Sequence, residues 1–286
     1  MQYIYLPEIF GSGIKKGTRC RAQGKKRRKN LLIDSHAHLD MEDYADDIED
    51  VLDRAMKGGI SNIISVGIDI PSSQKALALA ESHDFIYSTV GFHPHNADDA
   101  DIGKIDELIK LASGSKKVVA WGEIGLDFYR HYSHVKNQIE IFELQLDTAL
   151  DLNLPVIIHD RDAHDDVLEI INQRKNRSQK GVIHCFSGDY DLAMSFIELG
   201  FYISIPGTVT YKNAFRTHEA AEKIPIERLL IETDAPFLAP LPLRGKRNEP
   251  CFIRHTAEKI AQLRDIHLDE LAFKTSLNAK QLFGLP

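Results

Sequence analysis

The sequence predicts a (β/α)8 TIM barrel, an α/β fold in which helices surround a ring of eight parallel strands. Three observations predict this fold class. Eight short apolar runs are spaced along the chain, and each is followed by sequence of helical character. Residues 31–286 span 256 positions, close to the roughly 250 that are typical of the fold. The alternative is an open, doubly wound sheet, but the polar residues that end the runs favour the barrel.

The eight apolar runs are too short for helices of normal length, and most are rich in β-branched residues. Several are apolar on both faces, which is typical of parallel strands that are covered on both sides. In chain order, the predicted strands are 31–34, 61–67, 85–91, 118–123, 155–159, 181–186, 201–205 and 228–233.

Amphipathic stretches between and after the strands predict the helices. Gly58 and Gly59 form a good helix stop, and Pro71 marks a helix start. The predicted helices are 44–57, 72–83, 101–112, 135–152, 162–174, 189–199, 212–223, 254–264 and 267–282. No change in composition within residues 31–286 indicates a second domain.

Charge divides the chain into two parts. The whole chain has 35 Lys+Arg and 42 Asp+Glu, a net charge of −7. Residues 1–30 hold nine basic groups and one acidic group, Glu8, so 26 basic and 41 acidic groups remain in residues 31–286, a net charge of −15. We predict that residues 1–30 are a basic, disordered tail outside the barrel domain. The alternative for the tail is a nucleic-acid-binding arm or a localisation signal.

An acidic body argues against a broad nucleic-acid groove, because backbone binding relies on Lys and Arg. A polyanion would have to enter a small, locally positive site. Cys20, Cys185 and Cys251 lack paired spacing and predict neither a disulfide framework nor a zinc finger. No apolar run approaches 18 residues, and the opening residues do not resemble a signal peptide. We expect a cytoplasmic protein without membrane contact that is a monomer or a weak oligomer.

Six predicted strands end in histidine or carboxylate side chains. In a barrel, the C-terminal ends of the strands carry the chemistry. A lone buried histidine is more often structural, but six polar strand ends are hard to explain in that way. The residues at these ends are His36, His38, His93, His95, Glu123, His159, His184 and Asp234.

Within this set, His36 and His38 are the sharpest local signal for a metal site. Residues i and i+2 of a strand point to the same side, so both imidazoles face one point in the barrel mouth. Neutral imidazole is a good ligand for Zn, Fe, Mn or Co. The predicted metal ligands are His36, His38, Glu123, His159, His184 and Asp234.

This ligand set is large enough for two divalent ions. One tetrahedral zinc ion with an open position needs only three protein ligands, and Glu123 can bridge two ions because it has two oxygens. Two metal ions can activate water and stabilise the attacking and leaving oxygens, which suits hydrolysis of a phosphodiester or an amide. Asp234 is expected to bind one ion and to act as the general base. The ligand types leave the choice among Mg, Mn, Zn and Co open.

Six short motifs follow one another between residue 31 and the C-terminus. They are Gly91–His95, Gly122–Asp127, Pro155–His159, His184–Gly188, Glu232–Pro236 and Arg247–Pro250. In this order they closely resemble the TatD family of metal-dependent deoxyribonucleases, and the strand-end residues resemble the wider amidohydrolase superfamily. Residues 1–30 lie outside the resemblance.

The resemblance implies a divalent-metal-dependent hydrolase that cleaves DNA, often from the 3′ end. The residues that it implies around one ion are His36, His38, Glu123 and Asp234. Those that it implies around the second ion are Glu123, His159 and His184. His93 and His95 would contact the scissile phosphate or the leaving group. Leu243 and the segment 205–207 depart from the family pattern, which leaves the substrate preference open.

Two arginines are candidates for contact with an anionic substrate. Arg161 follows His159 by two residues and is expected to clamp a phosphate, with a salt bridge to a neighbouring acid as the alternative. Arg247 belongs to a positive cluster with Arg244 and Lys246 beyond the eighth strand. We predict that Arg247 contacts the substrate, with a charged surface loop as the alternative.

Two further residues lie next to the predicted ligands. Asp127, four residues after Glu123, is expected either to orient a histidine ligand or to cap the following loop. Cys185 follows His184 on a predicted strand, and its side chain should point away from the barrel mouth because strand neighbours alternate.

The leading hypothesis is a two-metal nuclease that cleaves DNA phosphodiester bonds as a 3′–5′ exonuclease. The first alternative is an amide or ester hydrolase of the same superfamily, for example an aminoacyl-tRNA deacylase. Many amide and ester hydrolases of this superfamily carry a carboxylated lysine where this chain has Glu123, which counts against that reading. The remote alternative is a non-catalytic protein that binds nucleic acid through its basic tail.

Overall fold

The computed structural model describes residues 32–286, and the predicted tail, residues 1–30, lies outside the described residues. Eight parallel strands pair in chain order within one sheet. They are β1 (Leu32–Ala37), β2 (Ile60–Ser65), β3 (Ile86–Val90), β4 (Val118–Asp127), β5 (Val156–Arg161), β6 (Gly181–Ile183), β7 (Tyr202–Ile205) and β8 (Leu229–Ile231). The predicted (β/α)8 barrel is confirmed.

Helices alternate with these strands. Within residues 32–286 they are α1 (Ile48–Gly58), α2 (Ile70–Ser82), α3 (Ile102–Gly114), α4 (Val135–Asp151), α5 (His164–Asn172), α6 (Tyr190–Glu198), α7 (Phe215–Lys223), α8 (Ile253–Leu263) and α9 (Leu268–Phe283). Gly59 follows α1 in the left-handed region, and Pro71 lies in the first turn of α2, so the predicted stop and start are confirmed. In this part of the chain, no helix is long and apolar enough to cross a membrane.

The ring closes where β8 meets β1. A parallel bridge joins Ala37 to Ala235. The backbone N–H of His38 donates to the carbonyl of Ala235 over 2.7 Å, and the N–H of Asp234 donates to the carbonyl of His36 over 2.9 Å. Closure therefore places Asp234, from the far end of the chain, beside the two histidines of β1.

Two apolar clusters hold the barrel together. The larger cluster combines strand and helix side chains, including the fully buried Trp121 and Phe142. The smaller cluster includes Ile157 near the amino end of β5, together with Leu282 and Phe283 at the end of α9. Full burial of such a side chain contributes about 1.5–3 kcal/mol.

Strand β4 is four residues longer than the sequence predicts. Beyond Glu123 it stays paired with β5 as far as Asp127, which lies opposite Arg161. Gly125 permits this pairing because its φ is +138° and a Cβ there would lie 2.0 Å from the carbonyl oxygen of His159. The extension brings a second carboxylate of β4 up to the candidate site.

Strand β6 is shorter than predicted and ends at Ile183 instead of residue 186. Cys185 lies beyond the strand with a φ of +47°, and its N–H donates to the carboxylate of Glu232. The alternation that predicted an outward side chain does not apply past the end of the strand. Contrary to that prediction, Cys185 lines the cavity at the barrel mouth.

Candidate metal centre

A cavity of about 940 Å³ opens at the carboxyl ends of the strands. Seven of the eight polar strand-end residues line it, and the eighth, His36, is fully buried. Those seven are His38, His93, His95, Glu123, His159, His184 and Asp234. The structure therefore brings the predicted ligands together at one end of the barrel.

Glu123 lies at the centre of this cluster and is 2% exposed. Its Oε2 atom is 3.3 Å from Nε2 of His36 and 3.6 Å from Nε2 of His38. Its Oε1 atom is 2.9 Å from Nδ1 of His159 and 2.7 Å from Nε2 of His184. Each oxygen of this carboxylate thus contacts its own pair of imidazole nitrogens, and the rings of His36 and His184, one from each pair, stack with their centroids 4.0 Å apart.

Asp234 completes the first of these groups. Its Oδ1 atom lies 3.7 Å from Nε2 of His36 and 3.5 Å from Nε2 of His38. The backbone of Asp234 has a φ of +55°, in the left-handed region that non-glycine residues seldom occupy. Such conformations persist where the surroundings impose them, often at functional sites. Here the hydrogen bonds that close the ring between β8 and β1 impose it.

His93 and His95 border the second group. Nε2 of His93 is 3.4 Å from Oε1 of Glu123, and the backbone N–H of His95 donates to Nδ1 of His93 over 3.0 Å. Burial lowers the pKa of His93 to about 4, so its ring is neutral at pH 7. A neutral ring that accepts at Nδ1 carries its proton on Nε2, which places that proton toward Oε1 of Glu123.

Asp127 orients the histidines beside it. Its Oδ2 atom is 3.2 Å from Nε2 of His159 and 2.8 Å from Nε2 of His95. A proton on Nε2 of His159 leaves the Nδ1 lone pair free to face Glu123. Oδ1 of Asp127 also accepts the N–H groups of residues 129 and 130. Both roles that the sequence left open for Asp127, orienting a histidine and capping the loop, are present.

Replacing Asp127 by asparagine is expected to lower divalent-metal affinity about 10- to 100-fold, the usual effect of losing a partner of a ligand histidine. An amide N–H₂ in place of Oδ2 would donate to Nε2 of His159 and shift the ring proton to Nδ1. Metal titration of the stripped protein by calorimetry measures the change. Asp101→Asn, at the N-cap of α3, is the matched control because asparagine caps as well as aspartate. Unchanged affinity in Asp127→Asn would contradict the orienting role.

The carboxylates of the cluster are ionised. Burial opposes the charge on Glu123, but His184 and His93 outweigh burial and hold the pKa of Glu123 well below its ordinary value. Burial also opposes the charge on Asp234, yet a hydrogen bond from His38 keeps the pKa of Asp234 low. Burial favours a neutral His184, but Glu123 raises the pKa of His184 well above its ordinary value. The cluster thus attracts positive charge.

The residues fit divalent cations. The Nε2 atoms of His36 and His38 lie 3.2 Å apart, so a proton or a cation must separate their lone pairs. The Nδ1 atoms of His36 and His184 are buried with no hydrogen-bond partner among residues 32–286; a proton there leaves Nε2 free as a ligand. Ligand atoms of His36, His38 and Asp234 lie within 4.8 Å of one another. Imidazole nitrogens with carboxylate oxygens suit Zn, Mn or Co.

Glu232 is a buried carboxylate to which the sequence analysis assigned no role. It is 0% exposed, and its Oε1 atom lies 3.6 Å from Nδ1 of His184. It stands behind this histidine on the side away from Glu123 and holds the turn at Cys185. The sequence does contain a signal for this residue, because Glu232 is a second carboxylate two residues before Asp234.

The two candidate arginines differ in their surroundings. Arg161 lines the cavity, and its guanidinium lies over the ring of Tyr129 at 4.1 Å from the centroid. Within the described part of the chain, no carboxylate forms an ion pair with Arg161. The structure does not bring Arg247 to the cavity, because its guanidinium binds Asp47 at 2.7 Å and Glu249 at 3.2 Å. That pairing departs from the predicted substrate contact.

A TIM barrel with a buried cluster of imidazoles and carboxylates at its carboxyl end is typical of a metal-dependent enzyme. A family model described as "TatD related DNase" matches residues 33–284. The chain belongs to the TatD family, and the resemblance drawn from its six motifs is confirmed.

Relatives of known sequence or structure match nearly the whole described chain. The metal-dependent hydrolase YabD of Bacillus subtilis is 43% identical over 258 residues, which cover 89% of this chain and 100% of YabD. The "3'-5' ssDNA/RNA exonuclease TatD" of Erwinia amylovora is 38% identical over 260 residues, which cover 89% of this chain and 100% of that relative. The crystal structure of the TatD homologue YJJV from Escherichia coli has a TM-score of 0.85 at 32% identity, with 90% and 99% covered.

Proposed function

We propose that this chain is a 3′–5′ exonuclease that hydrolyses the phosphodiester bonds of single-stranded DNA. One observation carries the proposal. The two oxygens of Glu123 face two separate groups of imidazole nitrogens beneath an open cavity, 3.3 Å from His36 and 2.7 Å from His184. The name of the Erwinia amylovora relative, which includes 3′–5′ exonuclease activity, supports the same reaction.

The proposed metal sites use all six predicted ligands. The first site consists of His36, His38, Glu123 and Asp234. The second consists of Glu123, His159 and His184. Two divalent ions there supply positive charge that stabilises the phosphoryl oxygens and makes water a better nucleophile. Glu123 holds the two sites together because it belongs to both.

Asp234 is the proposed general base. Oδ1 faces His36 and His38, which leaves Oδ2 to accept a proton. The low pKa of Asp234 keeps it unprotonated. As the water oxygen bonds to phosphorus, Asp234 takes the water proton and the bond from phosphorus to the 3′ oxygen breaks. That oxygen takes up a proton, and a nucleoside 5′-monophosphate leaves the strand end.

Three side chains of the cavity are proposed to hold the scissile phosphate. His93 and His95 line the cavity, with Nε2 of His93 near Glu123 and Nε2 of His95 held by Asp127. Arg161 adds a guanidinium that no carboxylate neutralises within residues 32–286. In an acidic body, Arg161 supplies the local positive charge that the charge distribution requires.

Replacing Arg161 by methionine is expected to lower kcat/KM for single-stranded DNA about 10- to 100-fold, the loss of one charge-assisted hydrogen bond. Methionine keeps an apolar stem over Tyr129 and removes the charge. Steady-state kinetics measure the effect. Arg228→Met is the matched control, because Arg228 also lies over a tyrosine, Tyr202, at 5.1 Å but outside the cavity. Equal kcat/KM for Arg161→Met and wild type would exclude Arg161 as a phosphate contact.

The proposed activity is tested with metal-stripped protein on single-stranded DNA labelled at its 5′ end. Mg, Mn, Co or Zn is added back, and bound metal is counted by elemental analysis. We expect a ladder that shortens from the 3′ end only when metal is restored. A protein with full metal occupancy that leaves DNA intact would overturn the proposal. Aminoacyl-ester and amide substrates would then be tested with the same protein.

A further inference from the structure

Two aromatic side chains stand exposed at the mouth of the cavity. Tyr132, in the loop between β4 and α4, is 65% exposed, and Phe237, in the loop between β8 and α8, is 48% exposed. Both line the cavity. Leaving large aromatic rings in water forgoes the stabilisation that burial would give. Exposed rings beside a binding cavity therefore point to contact with a ligand.

Phe237 borders the first group of ligands. Its ring centroid lies 6.0 Å from that of His38, with the ring planes at 66°. Its backbone is held on both sides, because its N–H donates to the carbonyl of Asp234 over 2.8 Å and its carbonyl accepts from Nδ2 of Asn248 over 2.6 Å. The next residue, Leu238, has a φ of +53°, which is unusual for a bulky side chain. The turn that exposes Phe237 is therefore imposed by its surroundings.

Tyr132 borders the opposite side of the cluster. Its ring centroid lies 4.7 Å from that of His95, with the ring planes at 87°. The neighbouring Ser133 fixes the loop, because its Oγ donates to the carbonyl of His95 over 2.8 Å and its carbonyl accepts from Nε2 of Gln138 over 3.0 Å. Both rings are thus carried on ordered backbone and need little reorganisation to bind.

The ring of the neighbouring Tyr129 already contacts two arginine side chains. The guanidinium of Arg161 lies 4.1 Å from its ring centroid and that of Arg130 lies 5.3 Å from it. Its exposed ring carries cations and is not free for a base. Tyr132 and Phe237 have only the edge-on histidine contacts among the ring contacts of the described residues.

We propose that Phe237 and Tyr132 each stack on a nucleobase, one on either side of the scissile phosphate. The inference rests on the proposed function, because it assigns these rings to the nucleosides that a phosphodiester joins. His38 belongs to one group of ligands and His95 borders the other, so a phosphate between the groups has one ring on each side. Every base has a π face, so stacking tolerates any sequence. The bases must be unpaired to reach the rings.

Phe237→Leu and Tyr132→Leu are expected to lower kcat/KM for single-stranded DNA by about 5- to 100-fold each, through a higher KM at nearly unchanged kcat. Leucine keeps an apolar side chain and removes the π face. Phe237→Tyr and Tyr132→Phe keep the π face and should recover most of the kcat/KM that the leucine variants lose. Phe215→Leu is the matched control, because Phe215 is 72% exposed on α7 and does not line the cavity.

Substrates with an abasic residue at the last or the penultimate position test the same idea with the wild-type protein. We expect the wild-type protein to cleave each abasic substrate more slowly than the normal strand. The leucine variant that lacks the corresponding ring should cleave that abasic substrate at the same rate as wild type. A 2-aminopurine base at the same position should lose fluorescence on binding to wild type and recover it in the leucine variant.

The outcomes separate this inference from the proposed function. The stacking proposal would be wrong if the wild-type protein cleaved normal and abasic strands equally and the leucine variants were as active as wild type. The proposed exonuclease activity would be unaffected by that result. Metal-loaded wild type that neither cleaves single-stranded DNA nor quenches 2-aminopurine would overturn both.

Discussion

Replacing Asp234 by asparagine is expected to lower kcat for single-stranded DNA by about 100- to 10,000-fold, the range that a general base contributes. Asparagine has nearly the same size, and its Oδ1 can still face His36 and His38. The side-chain amide of asparagine is not basic and cannot take the water proton. The loss should therefore fall on kcat, while KM changes little.

Bound metal must be counted in the same preparation, because Asp234 is also a proposed ligand of the first site. Asp189→Asn, at the N-cap of α6, is the matched control and should keep wild-type kcat. Asp234→Asn with full metal occupancy and kcat within about threefold of wild type, far inside the loss expected of a missing base, would show that another group takes the proton.

The fold could be predicted because its elements are local. Short apolar runs and amphipathic stretches located the eight strands and the helices, and each lies close to its predicted bounds. The errors lie at strand ends. Strand β4 continues to Asp127 because Gly125 lets β5 approach closely, and β6 stops early where Glu232 captures the N–H of Cys185. Both are contacts between distant parts of the chain, which periodicity does not record.

The clustering of the predicted metal ligands could be anticipated because parallel strands deliver their carboxyl ends to one place. Knowing that His36 and Glu123 lie in the carboxyl halves of two strands is enough to expect them together. Their outward partners could not be predicted in the same way. The sequence left two roles open for Asp127, and the pairing of Arg247 with Asp47 instead of substrate depends on side-chain directions in loops.

Substitution of Glu123 by glutamine is expected to lower kcat/KM for single-stranded DNA by about 1,000-fold or more, since charge stabilisation by metal is worth several kcal/mol. Glutamine offers one carbonyl oxygen and one N–H₂ group. It can therefore serve one ligand group only, while its N–H₂ faces the other. We expect both of the proposed divalent ions to bind more weakly than in wild type.

This variant separates a bridging carboxylate from an ordinary ligand. If Glu123 served the first site alone, the His159 and His184 group would keep its wild-type metal affinity, whereas a bridging Glu123 predicts weaker affinity at both groups. Elemental analysis after dialysis against limiting metal distinguishes the two cases, and Glu107→Gln, an exposed position on α3, controls for the loss of one negative charge. Because Oε1 and Oε2 face opposite groups at 2.7 Å and 3.3 Å, one substitution should weaken both sites. If Glu123→Gln kept both ions with wild-type affinity, Glu123 would not be a bridging ligand, and the nuclease proposal would lose the argument that carries it.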